Sequence, residues 1–152
     1  MEELDDKTYA EIRELCEAGD RFADQSDFSA ALEKYWNAFD LVPEPKTAWD
    51  TTTWILTAIG DTNFLANDFR AGADNLSNAM HCPGAIGNPF IHIRLGQCQF
   101  ELGNLDRAAD ELTRAYAVKG EEIFFGEDPK YLEFLKTRID TKPPEKKAWW
   151  KR

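Results

Sequence analysis

Long apolar runs are missing from this 152-residue chain, histidine is limited to two residues and cysteine to three, and basic residues are outnumbered by acidic ones, 18 to 28. Each shortage excludes something. No stretch approaches the roughly 18–20 consecutive apolar residues of a transmembrane helix, so a membrane span is not expected. The opening Met1-Glu2-Glu3-Leu4-Asp5-Asp6 is acidic where a signal peptide carries a basic region and an apolar stretch, which points to the cytosol. Cys16, Cys82 and Cys98 form no C-x-x-C pair and make an odd count, a poor disulfide framework that suits a reducing compartment. The formal charge of −10 is uneven: residues 1–70 hold 16 acidic and 6 basic groups, residues 71–140 hold 11 and 7, and residues 141–152 hold 1 and 5. An acidic body repels phosphate backbones, which argues against nucleic acid. It attracts a basic protein, speeding encounter more than deepening affinity.

Internal self-similarity is present. Gly19, Gly60 and Gly96 each sit in a helical pattern. Twelve residues after each stands a small residue (Ala31, Gly72, Ala108), sixteen after a bulky one (Tyr35, Leu76, Leu112), and nineteen after an alanine (Ala38, Ala79, Ala115). Small residues on two helices let their backbones approach where they cross, and the bulky residue fills the groove between them. The unit is therefore a helix pair used three times. Turn signals fall where this requires them: Gln25-Ser26-Asp27, Ala66-Asn67-Asp68 and Leu102-Gly103-Asn104 inside pairs, Pro43-Glu44-Pro45 and Pro83-Gly84 between them. Asn88-Pro89 reads as an N-cap followed by proline at the first helical position. No segment alternates like a strand, so the fold class is all-α.

These positions resemble the tetratricopeptide repeat (TPR), whose pattern is W-x2-L-G-x2-Y, then A-x3-F, then A and P. The third repeat carries Leu95-Gly96, Gly103-Asn104-Leu105, Ala108, Leu112 and Ala115; the first carries Gly19, Phe22, Phe28, Ala31, Tyr35, Ala38 and Pro43; the second carries Ile59-Gly60, Phe69, Gly72, Leu76 and Ala79. Asn63 and Gln99 depart from the pattern where an aromatic belongs, and His92 stands near the usual tryptophan position. The resemblance spans about residues 9–120. It implies three antiparallel pairs, approximately 9–43, 47–82 and 88–120, stacked as a short right-handed solenoid. Residues 129–140, with Leu132, Leu135 and Ile139 on one face, are expected to form a capping helix that closes a single domain over 1–140. Residues 141–152, with Pro143-Pro144, four lysines and Trp149-Trp150, are expected to be a mobile basic tail.

Catalytic and metal chemistry find little support. His81, Cys82, His92 and Cys98 are types zinc accepts, but His92 and Cys98 are six apart on one helix, about 240° of net rotation, and face different ways. They read as packing residues. The only adjacent cysteine and histidine are His81-Cys82, no nucleophile–base arrangement. Cys82-Pro83-Gly84-Ala85-Ile86-Gly87-Asn88 lacks the Gly-Lys-Ser/Thr ending of a phosphate loop and joins two helices. No enzyme activity, metal or cofactor is expected.

The surface remains. The TPR resemblance implies a concave groove lined by the first helix of each pair. Its positions, counted from each glycine, are Arg13, Cys16, Asp20, Ala23 and Asp24; Trp54, Thr57, Asp61, Phe64 and Leu65; and Phe90, Ile93, Gln97, Phe100 and Glu101, with Arg94 on the border. Aromatics among acids form a hot-spot surface for a basic, partly apolar protein. Trp54, Phe64, Phe90 and Phe100 have a second reading, as core residues buried by the superhelix. A further candidate is the loop 121–128, where Glu121 and Glu122 precede Phe124 and Phe125; these rings either pin the last helix or join the acids at an interface.

The run 81–90 continuing into 94–98, with Glu121-Glu122-Ile123-Phe124 and Asp128-Pro129-Lys130-Tyr131-Leu132, resembles small bacterial TPR proteins that accompany polymorphic toxins. That resemblance implies an immunity protein, monomeric when free, that neutralises a basic toxin domain. The other reading is an adaptor or co-chaperone gripping peptide tails. Such a clamp needs basic residues for a terminal carboxylate, and the groove positions offer only Arg13 and Arg94.

Overall fold

The computed structural model describes residues 3–141. The three expected turns inside pairs follow one path, set by one residue in the left-handed conformation. Ser26, Asn67 and Gly103 have φ of 60°, 61° and 80°, the left-handed region that glycine and asparagine reach most readily. The next residue then sends its N–H back five positions: Asp27 to the Phe22 carbonyl, Asp68 to Asn63 and Asn104 to Gln99, at 2.9, 2.8 and 2.9 Å. This satisfies a carbonyl left open at a helix C-terminus. Asp27 and Asp68 also begin the next helix by accepting from the amides of Ala30 and Ala71, both at 3.2 Å.

Between and around these turns run α1 (Asp6–Asp24), α2 (Phe28–Asp40), α3 (Asp50–Leu65), α4 (Phe69–Ala79), α5 (Pro89–Glu101), α6 (Leu105–Lys119) and α7 (Pro129–Lys136), with 3₁₀ turns at Lys46–Ala48 and Gly120–Phe124. No strand occurs among the described residues. The closest pairings are α1 with α2, α3 with α4 and α5 with α6, and α2–α3 and α4–α5 join one pair to the next. The fold is a short right-handed TPR solenoid of three helix pairs with a C-terminal cap. Residues 142–152 of the expected tail, Trp149 and Trp150 among them, lie outside the described residues.

The glycine spacing is a packing rule in three dimensions. A Cβ on Gly19 would lie 2.5 Å from the Tyr35 ring, one on Gly60 2.4 Å from Leu76 Cγ, and one on Gly96 2.8 Å from Leu112. The bulky residue of each pair therefore occupies the space a side chain would take. Gly72 lets α4 and α5 meet in the same way, since its Cβ would stand 2.8 Å from Cys98 Sγ. Ala31, Ala38, Leu76, Ala79, Ala108, Leu112 and Ala115 are all fully buried.

The connections between pairs are tied by side chains. Lys46 Nζ donates to the carbonyls of Phe39 (2.9 Å), in the last turn of α2, and Val42 (2.5 Å), just past its end. Thr53 Oγ1 donates to the Pro83 carbonyl at 2.7 Å, and Asn88 accepts from the amides of Phe90 and Ile91 as expected of an N-cap. The last helix is shorter than its periodicity predicts. It ends at Lys136, where Thr137 Oγ1 donates to the Phe134 carbonyl and Arg138 N to the Leu135 carbonyl. Ile139 nevertheless packs on the same core as Tyr131 and Leu135. No helix among the described residues is long and apolar enough to cross a membrane.

If Leu76 owes its place to the missing side chain at 60, Gly60→Val should lower unfolding stability by about 3 kcal/mol, because a fully buried leucine has nowhere to move. Urea denaturation measures this. A midpoint within about 0.5 kcal/mol of wild type would contradict the packing rule.

Candidate functional site

Repetition of one register places equivalent residues in rows across the odd-numbered helices. Six positions before the glycines come Arg13, Trp54 and Phe90; one after come Asp20, Asp61 and Gln97; four after come Ala23, Phe64 and Phe100; five after come Asp24, Leu65 and Glu101. The structure divides these rows in two.

The C-terminal half is filled by the chain itself. Arg94, with only 11% of its side chain exposed, sits at the centre. Its Nε donates to Asp61 Oδ1 at 2.6 Å and its Nη1 to Gln97 Oε1 at 2.8 Å. Nη1 also pairs with Glu127, which arrives from the segment before α7. The guanidinium lies 4.5 Å from the Phe64 ring centre and 5.3 Å from that of Phe90, within cation–π range. Tyr131 then crosses from α7: its ring contacts Phe64 and Phe100 at centroid distances of 6.4 and 5.4 Å, and its hydroxyl donates to Glu101 at 2.8 Å. Lys130 pairs with the same carboxylate at 2.6 Å.

Five expected groove residues are thereby engaged within the chain. Gln97 is 0% exposed and donates to Glu127, so it offers nothing to a partner. Phe64 is half-buried under Arg94 and Tyr131. Asp61 is engaged by Arg94, and Glu101 is taken by Tyr131 and Lys130. Arg94 itself is no clamp for an external carboxylate, being already held between two acids. The physical reason is common to all: a cation inserted among acids gathers them, and residues 127–131 supply the remaining acid and the covering ring.

The N-terminal half stays open. A cleft of about 300 Å³ between α1 and α3 is lined by Tyr9, Arg13, Cys16, Asp20, Tyr35 and Trp54, among others. Above it stand Trp54, 56% exposed, Tyr9, 51%, and, further along the row, Phe90, 39%. Arg13 is exposed and pairs with Glu17 one turn on at 3.1 Å. Asp20 accepts the Tyr35 hydroxyl at 2.6 Å, and Asp24 is exposed. Burial, then the hydrogen bond to Asp20, raise the Tyr35 phenol well above its usual value. Burial and the Asp20 charge push the Cys16 thiol up to about 11.

In the second candidate, Glu121 and Glu122 are exposed, and Glu121 lies 3.6 Å from Lys136. Phe124 is buried beneath the final helix, whereas Phe125 projects outward. The histidine and cysteine cluster is dispersed: His92 accepts the Gly87 amide on Nε2 at 2.8 Å and directs Nδ1 to Glu111 at 2.6 Å, while Cys98 packs on Gly72. Burial raises the Cys82 and Cys98 thiols as well, so none of the three is a ready thiolate at neutral pH.

Tyr9, Lys130 and Tyr131 are site residues that sequence reasoning missed, and Glu127, part of the expected acidic loop 121–128, turns inward to Arg94. Tyr9 had a signal, standing three and seven positions before Ile12 and Cys16 on one face of α1. The contacts of Glu127, Lys130 and Tyr131 carry none, because their partners lie 29 or more residues away in sequence and these three stand outside the repeat.

Solved structures with the same architecture include TPR domains. The C-terminal TPR-containing domain of a Plasmodium falciparum FK506-binding protein superposes with a TM-score of 0.71 at 14% identity, covering 90% of this chain and 91% of that one. The Arabidopsis OM64 TPR domain gives 0.69 at 14%, covering 87% and 99%. MamA gives 0.61 at 16%, covering 86% and 77%. At these identities the likeness is one of fold. No protein-family model and no curated protein sequence matches this chain.

Two outcomes are expected of this geometry. Arg94→Ala leaves Asp61 and Glu127 facing each other and uncovers Phe64, and should cost about 2–3 kcal/mol of stability in urea denaturation. Lysine at the same place cannot reach three acceptors in one plane and should not restore it; full recovery by Arg94→Lys would refute the node. Alkylation of Cys16 should keep accelerating up to pH of about 11, where an ordinary thiol levels off near 9; a plateau at 9 would contradict the burial of this thiol in the cleft.

Proposed function

We propose that this chain is a non-enzymatic protein-binding module whose open half-groove, between α1 and α3 and on to Phe90, receives a basic, partly apolar surface of another protein. The observation that carries this reading is the row Arg13, Trp54 and Phe90, exposed along a cleft with Asp20 and Asp24 at its side, in a protein of charge −10. Large rings held on rigid helices supply apolar area at low entropic cost, and the surplus of acid steers a cation-rich partner to them. The biological role we assign to it is that of a cytosolic, monomeric immunity protein that neutralises a basic toxin domain by occupying its working surface. Domains that handle nucleic acid are basic, and an acidic protein with an aromatic groove competes for the same ground. Residues 1–140 act together as one domain in this reading.

The adaptor reading loses its main support in the geometry. A clamp for a peptide's terminal carboxylate needs free cations, but Arg94 is neutralised by Asp61 and Glu127, and Arg13 is paired with Glu17.

The test begins with capture from native cytosol at low and moderate salt, then measures inhibition of the captured protein's activity. The reading predicts one basic, near-stoichiometric partner whose activity falls on binding. Trp54→Ala should weaken that complex about 30-fold, mainly through faster dissociation. Asp20→Lys with Asp24→Lys should slow association, more at low salt than at high. A partner bound equally well by both variants, or several weak partners without inhibition, would overturn the proposal.

A further inference from the structure

We infer that the cleft between α1 and α3 takes the side chain of an arginine from another protein, in the place that Arg94 fills from within the chain one repeat later. The inference rests on the open half-groove being the binding surface proposed above, and it names the anchor that this surface takes.

The repeat supplies its own template. Arg94 stands two positions before Gly96. Its guanidinium pairs with Asp61 of the preceding odd-numbered helix and lies over Phe90, four residues earlier on its own helix. Moving back one repeat keeps these surroundings and removes the cation. Ala58 stands two positions before Gly60, Asp20 takes the place of Asp61 on the preceding helix, and Trp54 takes the place of Phe90. Ala58, Asp20 and Trp54 all line the cleft of about 300 Å³, a volume at the lower end of ligand pockets. The space that a long side chain fills between α3 and α5 is thus a cleft between α1 and α3, because position 58 carries only a methyl group. Two further parts of the template differ. Ala23 stands where Phe64 does, and among the described residues no segment like 127–131 covers this half. Both differences leave the approach open from outside.

Charge and rings complement a guanidinium. Asp20 accepts the Tyr35 hydroxyl on Oδ1 at 2.6 Å, and no cation pairs with it among the described residues. Burial raises the Tyr35 phenol most, then the Asp20 hydrogen bond and charge, and the Asp61 charge adds to them, so two carboxylates are felt at the cleft wall. Asp61 is committed to Arg94, which leaves Asp20 for a cation from outside. Arg13, on the rim of the cleft, lies seven residues and about 10 Å before Asp20 along α1 and is held by Glu17. Trp54, 56% exposed, and Tyr9, 51%, present the ring faces, and indole is the best of the aromatic faces for a cation. Arginine suits the site better than lysine. A planar guanidinium stacks on a ring and donates from its edge to a carboxylate at once, whereas an ammonium is a strongly hydrated point charge.

The probe is the capped peptide acetyl-Gly-Arg-Gly-amide, titrated at low salt into the ¹⁵N-labelled full-length protein beside its lysine and citrulline counterparts. Citrulline keeps the shape of arginine and removes the charge. The Trp54 indole and the Ala58 amide should shift saturably with the arginine peptide, and the citrulline peptide should bind about 10-fold more weakly. Lysine should fall between them. Asp20→Asn still accepts the Tyr35 hydroxyl and should weaken the arginine peptide about 5-fold. Ala58→Arg builds the anchor in cis; it should move the Trp54 indole in the direction the peptide does and abolish the titration. Equal binding of arginine and citrulline, or an arginine titration unchanged by Asp20→Asn, would overturn the inference, and these two arms decide it even if Ala58→Arg does not fold. Cleft signals that move with protein concentration alone would overturn it too, since a second copy would then hold the site. The two readings fail separately. A captured partner that depends on Trp54 but binds Asp20→Asn as tightly as wild type refutes only the arginine anchor. Arginine peptide held in the cleft, with a partner indifferent to Trp54, refutes only the partner site.

Discussion

The structure depends on the close approach of two helix backbones, repeated three times. Gly19, Gly60 and Gly96 leave no room for a Cβ because Tyr35, Leu76 and Leu112 already stand there. That contact fixes the distance and rotation of each pair. Fixed rotation puts α1, α3 and α5 in the same attitude, so positions at equal offsets from the glycines fall into rows. The left-handed turns at Ser26, Asn67 and Gly103 hold each second helix to its first at the same offset, seven residues after the glycine. A surface built of rows follows from the packing contact and needs no separate explanation.

Function enters where the rows are interrupted. Arg94 is set among acids and amides and draws Asp61, Gln97 and Glu127 around it, while its planar face covers Phe64. Once Glu127 is held there, Tyr131 and Lys130 are delivered to Glu101 and the rings of Phe64 and Phe100. The C-terminal segment acts as a permanent occupant of half the groove. The other half keeps its apolar cleft and exposed rings, the surface we propose for binding.

Much of the architecture was legible in the sequence because its cause is local. Glycine, the small residue twelve later and the bulky residue sixteen later report one crossing, and the turn residues report one loop. The groove positions were legible for the same reason: Trp54, Phe90, Asp20 and Asp24 are exposed where the register puts them. Gln97, Phe64, Asp61 and Glu101 follow the register equally well and yet are consumed inside the fold. Their neighbours come from residues 127–131, outside the repeat, and periodicity carries no information about a segment that does not share it. The shortening of α7 has a related origin, since Leu132, Leu135 and Ile139 share a face whether the chain stays helical to 139 or turns at Thr137.

A groove half closed by its own chain is the central claim, and native-state hydrogen exchange of the full-length protein tests it most directly. If residues 124–139 are an integral occupant, the amides of Leu135 and Ile139, hydrogen-bonded within the final helix and its closing turn, should exchange only as slowly as those of α5, through the same global opening. Rapid exchange across 124–139 while α5 stays protected would contradict it, and would mean that the groove stands open along its whole length.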